Sequence, residues 1–183
     1  MNRRPTWIML GLLAIALLAL AFMEWTPQGK KISQPPTPTS IPLLLSGWDP
    51  ERVTRVEFST PDQSTYVLTK QANGTWIMND NPNPVNQDNL YYLLQSLTNA
   101  TVRATLSSDI NQDATGLATP TLNIALQDSF GATVRIKIGN QTPISSGYYL
   151  QVDAQAPVVA SKYDIEDLLS LASPQKLLSP STP

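Results

Sequence analysis

Cysteine and histidine are both absent from this chain of 183 residues. Their absence excludes disulfides, thiol catalysis, iron–sulfur clusters and every nucleophile activated by histidine, and it removes the commonest zinc and copper ligands. The formal net charge is −2, but residues 43–173 carry seven Lys or Arg against thirteen Asp or Glu, a net charge of −6. Such an acidic region is a poor partner for nucleic acid, and we expect neither a nucleic-acid partner nor a cofactor.

The first 25 residues are predicted to form a transmembrane anchor. The seventeen residues from Trp7 to Met23 carry no charge, and at ~1.5 Å per residue a helix of this length reaches about 25 Å, close to the ~30 Å hydrocarbon core. Trp7 and Trp25 frame the run where tryptophan favours the membrane interface. The competing interpretation is a cleaved signal peptide, because Ala-Leu-Ala at residues 19–21 fits a small-residue cleavage site.

Charged residues around the anchor indicate its orientation. Arg3 and Arg4 precede the apolar run, and positive residues favour the cytoplasmic side, although Lys30 and Lys31 on the far side weaken that bias. We therefore expect a cytoplasmic N-terminus and a folded domain on the opposite side of the membrane.

One face of the predicted anchor is smooth. It consists of four residues at helical spacing: Gly11, Ala14, Leu18 and Ala21. Such a strip suits packing against another membrane helix, and alanine–leucine segments also produce it by chance, so both interpretations stay open.

Residues 26–46 are predicted to form a proline-rich stalk. Five prolines lie between Thr26 and Pro42, and because proline removes a donor and fixes φ, the segment should be extended and semi-rigid. The folded domain is expected to span residues 47–173. Residues 174–183 are broken by proline again and are predicted to form a flexible tail.

The first part of the domain is predicted to be a three-stranded meander. Residues 53–58 alternate in a β-favouring run, residues 65–70 form a second strand and residues 75–78 a third. Asn73-Gly74 between the last two strands is a strong hairpin signal. Strict alternation puts Val53 on the face opposite Val56, and Trp76 is expected in the core.

A helix and another strand follow. Four leucines in residues 87–97 recur at the spacing of one helix face: Leu90, Leu93, Leu94 and Leu97. Asn86 fits the N-cap position. Residues 101–106 return to a strand, and residues 107–120 are predicted to be irregular or a short helical turn closed by Gly116.

The last part is predicted to contain four strands and a closing helix. The strands lie at residues 121–127, 133–138, 148–152 and 157–160, and the helix spans residues 163–171. The order of strands, helix, strands and helix predicts an α+β domain of mostly antiparallel sheets with two packed helices, preceded by one N-terminal transmembrane helix. The two halves resemble each other, as in a duplication, although similar hairpins also arise without common descent.

Acidic residues form no convincing metal or catalytic site. Residues 109–113 match the first three ligand positions of a calcium loop, but position six is Ala114 and position twelve is Pro120. Asp164, Glu166 and Asp167 open the last helix, where acidic side chains are ordinarily partners of the helix dipole. We therefore predict no metal ligands and no catalytic residues.

Several short pieces together resemble a known family. Trp76 and the leucine-rich helix are followed by Gly-Leu-Ala-Thr-Pro at residues 116–120, Ile-Gly-Asn-Gln-Thr-Pro at 138–143 and Tyr-Tyr-Leu at 148–150. In this order, over roughly residues 50–170, the chain resembles the bacterial family catalogued as domain of unknown function 4340. The resemblance implies an N-terminal membrane helix. It also implies a link to ABC-type transporter components of the kind associated with gliding motility, because some members of the family are encoded beside such components or fused to them. It implies no catalytic residues, since no activity is established for that family.

Four tyrosines are the candidate partner contacts: Tyr91, Tyr92, Tyr148 and Tyr149. Aromatic side chains with one polar edge are favoured at interfaces. Neighbouring residues in a strand face opposite sides, and the first two tyrosines cannot both lie under the leucine stripe. We therefore expect one member of each pair to be exposed.

The sequence therefore predicts a binding or scaffolding module and not an enzyme. The chain should sit in the bacterial cytoplasmic membrane, with its domain outside, as an accessory subunit of a larger membrane or envelope complex. The alternative is a domain that binds a small ligand or a polysaccharide, and an enzyme that uses carboxylates is the third hypothesis.

Overall fold

Eight antiparallel strands form a single sheet in this computed structural model, which describes residues 42–179 except Gln63, Asp80 and Pro82. The strands are β1 Val53–Ser59, β2 Thr65–Lys70, β3 Trp76–Met78, β4 Val102–Thr105, β5 Leu122–Asp128, β6 Thr133–Gln141, β7 Gly147–Val152 and β8 Val158–Ser161. They lie in the order β3-β2-β1-β5-β6-β7-β8-β4. The predicted meander and the mostly antiparallel arrangement are confirmed, with the difference that one sheet holds all eight strands.

Within the described residues four helices accompany the sheet: α1 Gln87–Asn99, α2 Gln112–Thr115, α3 Lys162–Leu171 and α4 Pro174–Leu177, with a 3-10 turn at Pro50–Arg52. The Asn86 side chain accepts a hydrogen bond from the Asn89 backbone N at 3.0 Å and caps α1 as predicted. Gly116 ends α2 in the left-handed conformation with φ +73°. The two long predicted helices are therefore confirmed.

The core lies between one face of the sheet and helices α1 and α3. The leucine stripe of α1 is buried, and Trp76 is buried with 8% of its surface exposed. After α1, the Thr101 backbone N and Oγ1 both donate to Asp164 Oδ2 at 2.9 Å, at the start of α3. At the other end of α1, Asn89 Nδ2 donates to the carbonyl of Lys176 at 2.7 Å. The two helices therefore run antiparallel across the sheet.

A bulge in β1 changes which side chains face the core. Val53 and Val56 are both fully buried, contrary to strict alternation. Val53 pairs with Asp128 and Arg55 with Gln127, so one extra residue lies in β1. The hydroxyl of that residue, Thr54, donates to the carbonyls of the same two β5 residues. The extra residue turns Val53 to the apolar face.

Tyr66 joins the sheet to the end of α3. Its ring stacks on Phe58, with centroids 4.9 Å apart, and its hydroxyl donates to the carbonyl of Ala172 at 2.8 Å. Burial raises the pKa of the Tyr66 phenol above its ordinary value. The group therefore stays protonated, as its role as donor requires.

Both boundaries of the domain differ from the predicted ones. Leu44 N donates to the carbonyl of Ala100 and Leu45 is 4% exposed, so the end of the predicted stalk packs on the domain. At the other end Leu177 is fully buried, and Leu178 forms a bridge with Val85. Proline at the start of α4 fits a first helical turn, since its missing N–H has no partner there in any case.

The predicted anchor at residues 1–25 and residues 26–41 of the stalk lie outside the described residues. The anchor residues predicted to contact lipid or a partner helix fall in that part: Trp7, Gly11, Ala14, Leu18, Ala21 and Trp25. Among the described residues, no helix has both the length and the apolar composition needed to cross a bilayer.

Candidate functional site

The outer side of helix α1 carries two neighbouring exposed tyrosines. The buried leucine stripe takes one side of the helix, which leaves residues 91, 92, 95 and 99 on the other. Tyr91 is 44% and Tyr92 is 57% exposed. Their ring centroids are 6.4 Å apart in an edge arrangement. We call the set Tyr91, Tyr92, Gln95 and Asn99 the tyrosine ridge.

A shallow cleft, the α3 cleft, lies between the tyrosine ridge and helix α3. Its volume is about 220 Å³. It is lined by Tyr92, Gln95, Ser96, Asn99, Asp164 and Asp167. The lining therefore combines one aromatic ring with amides, a hydroxyl and two carboxyl groups, and no Lys or Arg belongs to it.

A second cleft, the N-terminal cleft, lies on the other side of the ridge, with a volume of about 250 Å³. Tyr91 forms one wall with Gln95 and Asn99, and Leu43, Trp48 and the acidic pair Asp49 and Glu51 belong to the segment that forms the other. Gln95 and Asn99 line both clefts. The ridge therefore separates two depressions, one beside each tyrosine.

The carboxyl groups around the ridge differ in what they already bind. Asp164 accepts two hydrogen bonds from Thr101. Asp49 accepts from Glu51 N at 3.0 Å and lies 3.9 Å from the guanidinium of Arg52. In the described part of the chain, the side chains of Glu51 and Asp167 form no ion pair. These two carboxylates are therefore the ones available to a partner.

Tyr148 and Tyr149 do not join the tyrosine ridge. Both are half-buried in the interior strand β7, and Tyr148 packs against the hydrophobic core. Tyr149 points to the opposite face, because successive side chains of a strand alternate. The expectation that one member of each pair is exposed was wrong for both pairs, and the structure brings together only the two tyrosines of α1.

The acids whose pKa is shifted lie in turns. The Thr60 hydroxyl lowers the pKa of the exposed Asp62, and the Ser107 hydroxyl lowers that of the exposed Asp109. Asn111, in the segment that resembles a calcium loop, accepts from Asp113 N and Ala114 N and so caps α2. In residues 42–179 as described, no group of three or more acidic side chains is placed to hold a metal ion.

The model of the family described as domain of unknown function (DUF4340) matches residues 76–175. The chain belongs to this family. The match extends from β3 into α4, and so includes the tyrosine ridge and the α3 cleft. No curated protein and no solved structure matches the chain.

Two of the sequence segments that resemble DUF4340 pack against each other at a glycine in each segment. A Cβ on Gly139 would overlap the carbonyl oxygen of Thr115 and lie 3.3 Å from Leu117 Cδ2. A Cβ on Gly116 would lie 2.6 Å from Oδ1 of Asn140. The Gly-Leu-Ala-Thr-Pro and Ile-Gly-Asn-Gln-Thr-Pro pieces therefore meet where only glycine lets the backbones approach. We call this contact the glycine crossing.

The end of the Ile-Gly-Asn-Gln-Thr-Pro piece organises the hairpin between β6 and β7. Thr142 Oγ1 accepts from the backbone N of Ser146 and of Gly147, at 3.1 and 3.2 Å. Gly147 then passes against β8, where a Cβ would overlap the carbonyl oxygen of Ala160. These residues of the DUF4340 region therefore hold the fold together and line neither the α3 cleft nor the N-terminal cleft.

Sequence reasoning missed most of the residues around the tyrosine ridge. Leu43 falls in the segment predicted to be a stalk, and Asp164 and Asp167 are predicted only as partners of the helix dipole. The Leu-Leu-Leu run at residues 43–45 was an available signal, because three apolar residues in a proline-rich stretch are expected to pack on something. Placing α3 beside α1 required the tertiary structure.

Proposed function

We propose that this DUF4340 chain is a membrane-tethered module that binds or scaffolds a protein partner outside the bacterial cytoplasmic membrane. It would be an accessory subunit of a larger membrane or envelope complex, anchored by the helix predicted at residues 1–25. The tyrosine ridge is the observation that carries the proposal, and we assign the module no catalytic activity.

The ridge has the features of a protein-docking surface. Tyrosine is enriched at interfaces because its ring offers apolar area and its hydroxyl stays solvated. Tyr91 and Tyr92 present two such rings side by side, at 44% and 57% exposure. They rest on a helix whose other side is held by buried leucines, so a partner would meet a rigid surface.

At the tyrosine ridge, the size of the two clefts favours a protein partner over a small ligand. Small-molecule sites usually enclose ~300–1,000 Å³, whereas the two clefts measure about 220 and 250 Å³. Depressions of this size suit single side chains of a partner. A polysaccharide is the second candidate, because the α3 cleft sets amides and a hydroxyl beside the Tyr92 ring.

The position of the ridge fits a tethered module. Val102 N, just after α1, donates to the carbonyl of Pro42, and Leu43 lines the N-terminal cleft. The described chain therefore begins beside the ridge. A partner held in the same membrane would approach the domain from the side on which the predicted stalk enters.

Replacing both ridge tyrosines should strongly reduce capture of the partner. Full-length chain is purified in mild detergent as wild type and as Tyr91→Ala/Tyr92→Ala, and co-purifying proteins are quantified by mass spectrometry. We expect a specific partner to fall by about tenfold or more, since a buried aromatic contact contributes roughly 2 kcal/mol or more.

The matched control removes two other exposed aromatic rings. Tyr163 and Phe130 are 74% and 79% exposed and line neither cleft. The Tyr163→Ala/Phe130→Ala variant should retain the partner at the wild-type level. A partner held equally by both double variants would overturn the proposal, and so would a chain that purifies alone in all three forms.

A further inference from the structure

We infer that the partner segment that docks on the tyrosine ridge is cationic and carries Arg or Lys side chains into the two clefts. This inference rests on the proposed docking function and specifies its partner. The occupant is a segment of another polypeptide, recognised by charge and by the faces of the tyrosine rings.

Apart from the two tyrosines, every ionisable side chain that lines the two clefts is a carboxyl group: Asp49, Glu51, Asp164 and Asp167. Asp88 adds another in the first turn of α1, one turn before the tyrosines. No Lys or Arg lines either cleft. Charges of one sign around a concave surface raise the local concentration of oppositely charged groups and steer their approach.

The two cations that contact the acidic pair of the N-terminal cleft are already engaged. The Arg52 guanidinium lies 3.9 Å from Asp49 and 5.4 Å from the centroid of the Phe130 ring. Lys70 Nζ donates to the backbone carbonyl of Glu51 at 2.9 Å. Lys162, at the start of α3, pairs with Glu166 at 3.7 Å. Among the described residues no ion pair involves Asp167, so its carboxylate is available to an incoming group.

The ridge itself also favours a cation. The face of a tyrosine ring attracts Lys and Arg within about 6 Å of its centroid. The amide oxygens of Gln95 and Asn99, which line both clefts, are acceptors for the N–H groups of such side chains. Arginine fits best, because its planar guanidinium stacks on a ring while its edge donates to a carboxylate.

Two other occupants fit the surface less well. A bilayer with anionic headgroups would be repelled by the carboxylates around the ridge. A second copy of the chain could present Arg55 and Arg135, which line a depression on the face of the sheet opposite α1 and α3. Arg55, however, is already paired with Glu57 at 3.3 Å, so that surface is partly neutralised.

The test uses the full-length chain in neutral detergent and a fluorescein-labelled peptide of alternating Arg and Ala, about twelve residues long, read by anisotropy. The Glu-Ala peptide of the same length is the probe control. We expect the Arg-Ala peptide to bind, and its affinity to fall with rising salt as for a charge-dependent contact. The Glu-Ala peptide should not bind.

Two variants with the same change in net charge distinguish binding of the peptide at the two clefts from general electrostatic attraction to an acidic protein. Asp167→Asn/Glu51→Gln removes one carboxylate from each cleft, and Asp113→Asn/Glu57→Gln removes two exposed carboxylates elsewhere. We expect the first to weaken binding about fivefold or more, and the second less than about twofold, because exposed charges are screened over ~10 Å.

Four outcomes would overturn the inference: equal weakening by both variants, no binding of the Arg-Ala peptide, equal binding of the Glu-Ala peptide, or preferential binding to vesicles that contain anionic lipid. Capture of the partner by the full-length variants shows whether only the cationic partner is wrong or whether docking through the ridge is wrong as well. If Tyr91→Ala/Tyr92→Ala loses that partner while Asp167→Asn/Glu51→Gln keeps it, docking through the ridge stands and the cationic partner does not. If both variants keep it, both proposals fail.

Discussion

Replacing Gly139 with alanine is expected to lower the free energy of unfolding by about 3 kcal/mol, the upper part of the usual range for overpacking. The added Cβ would overlap the backbone carbonyl of Thr115, which cannot swing aside as a flexible side chain can. Thr115 is fixed in turn by α2, whose N-cap is Asn111. Relief therefore requires β6 and the α2 segment to separate. Chemical denaturation of the full-length chain in detergent measures the loss.

Gly131→Ala is the matched control for this prediction. Gly131 has φ +82° and nothing within 4 Å of the added Cβ, so its replacement tests backbone strain without a steric overlap. The expected loss is about 1–2 kcal/mol. Gly139 does not adopt a positive φ, so its alanine variant tests the close approach alone. Equal stability of Gly139→Ala and wild type would show that the glycine crossing is absent.

Leu177→Ala is expected to lower the free energy of unfolding by about 2–5 kcal/mol, the usual range for a large core residue. The Leu177 side chain is fully buried although it lies in the segment predicted from sequence to be a flexible tail. Its truncation would leave a cavity where α4 packs on the core. Thermal or denaturant unfolding of the full-length chain measures the difference.

Lys176→Ala is the adjacent control. Lys176 is exposed, and the hydrogen bond from Asn89 to residue 176 uses the backbone carbonyl, which the substitution keeps. Its effect should stay within about 0.5 kcal/mol. If Leu177→Ala were as mild as Lys176→Ala, residues 174–179 would behave as the tail that composition predicts.

The elements that depend on neighbouring residues could be predicted from the sequence. The leucine spacing and Asn86 located α1, and Asn73-Gly74 located the hairpin between β2 and β3. In each case the determining signal lies within a few residues. The bulge at Thr54 could not be found in this way, because it is defined by the register against β5.

The exposure of the tyrosines shows where local reasoning was insufficient. Successive residues of a helix are ~100° apart, so a leucine stripe that occupies one side leaves both Tyr91 and Tyr92 outside it. In β7 the exposure depends on the neighbouring strands. Because β6 and β8 flank β7 on both sides, Tyr148 and Tyr149 are both half-buried.

The site could be predicted only in part, because its walls come from distant parts of the chain. Tyr91 and Tyr92 were identified from their residue type and position. Asp167 and Leu43 reach the ridge only after the sheet has brought α3 and the N-terminal segment beside α1. The glycine crossing has the same origin, since Gly116 and Gly139 contact each other's segments across the fold.

Site-specific photocrosslinking tests docking through the tyrosine ridge most directly. A benzoylphenylalanine is placed at position 92 of the full-length chain and, in a second protein, at position 163, and cells are irradiated before lysis. Because Tyr92 lines the α3 cleft and Tyr163 lines neither cleft, position 92 should yield one defined crosslinked protein and position 163 none. Identical crosslinks from both positions, or none from position 92, would contradict docking through the ridge.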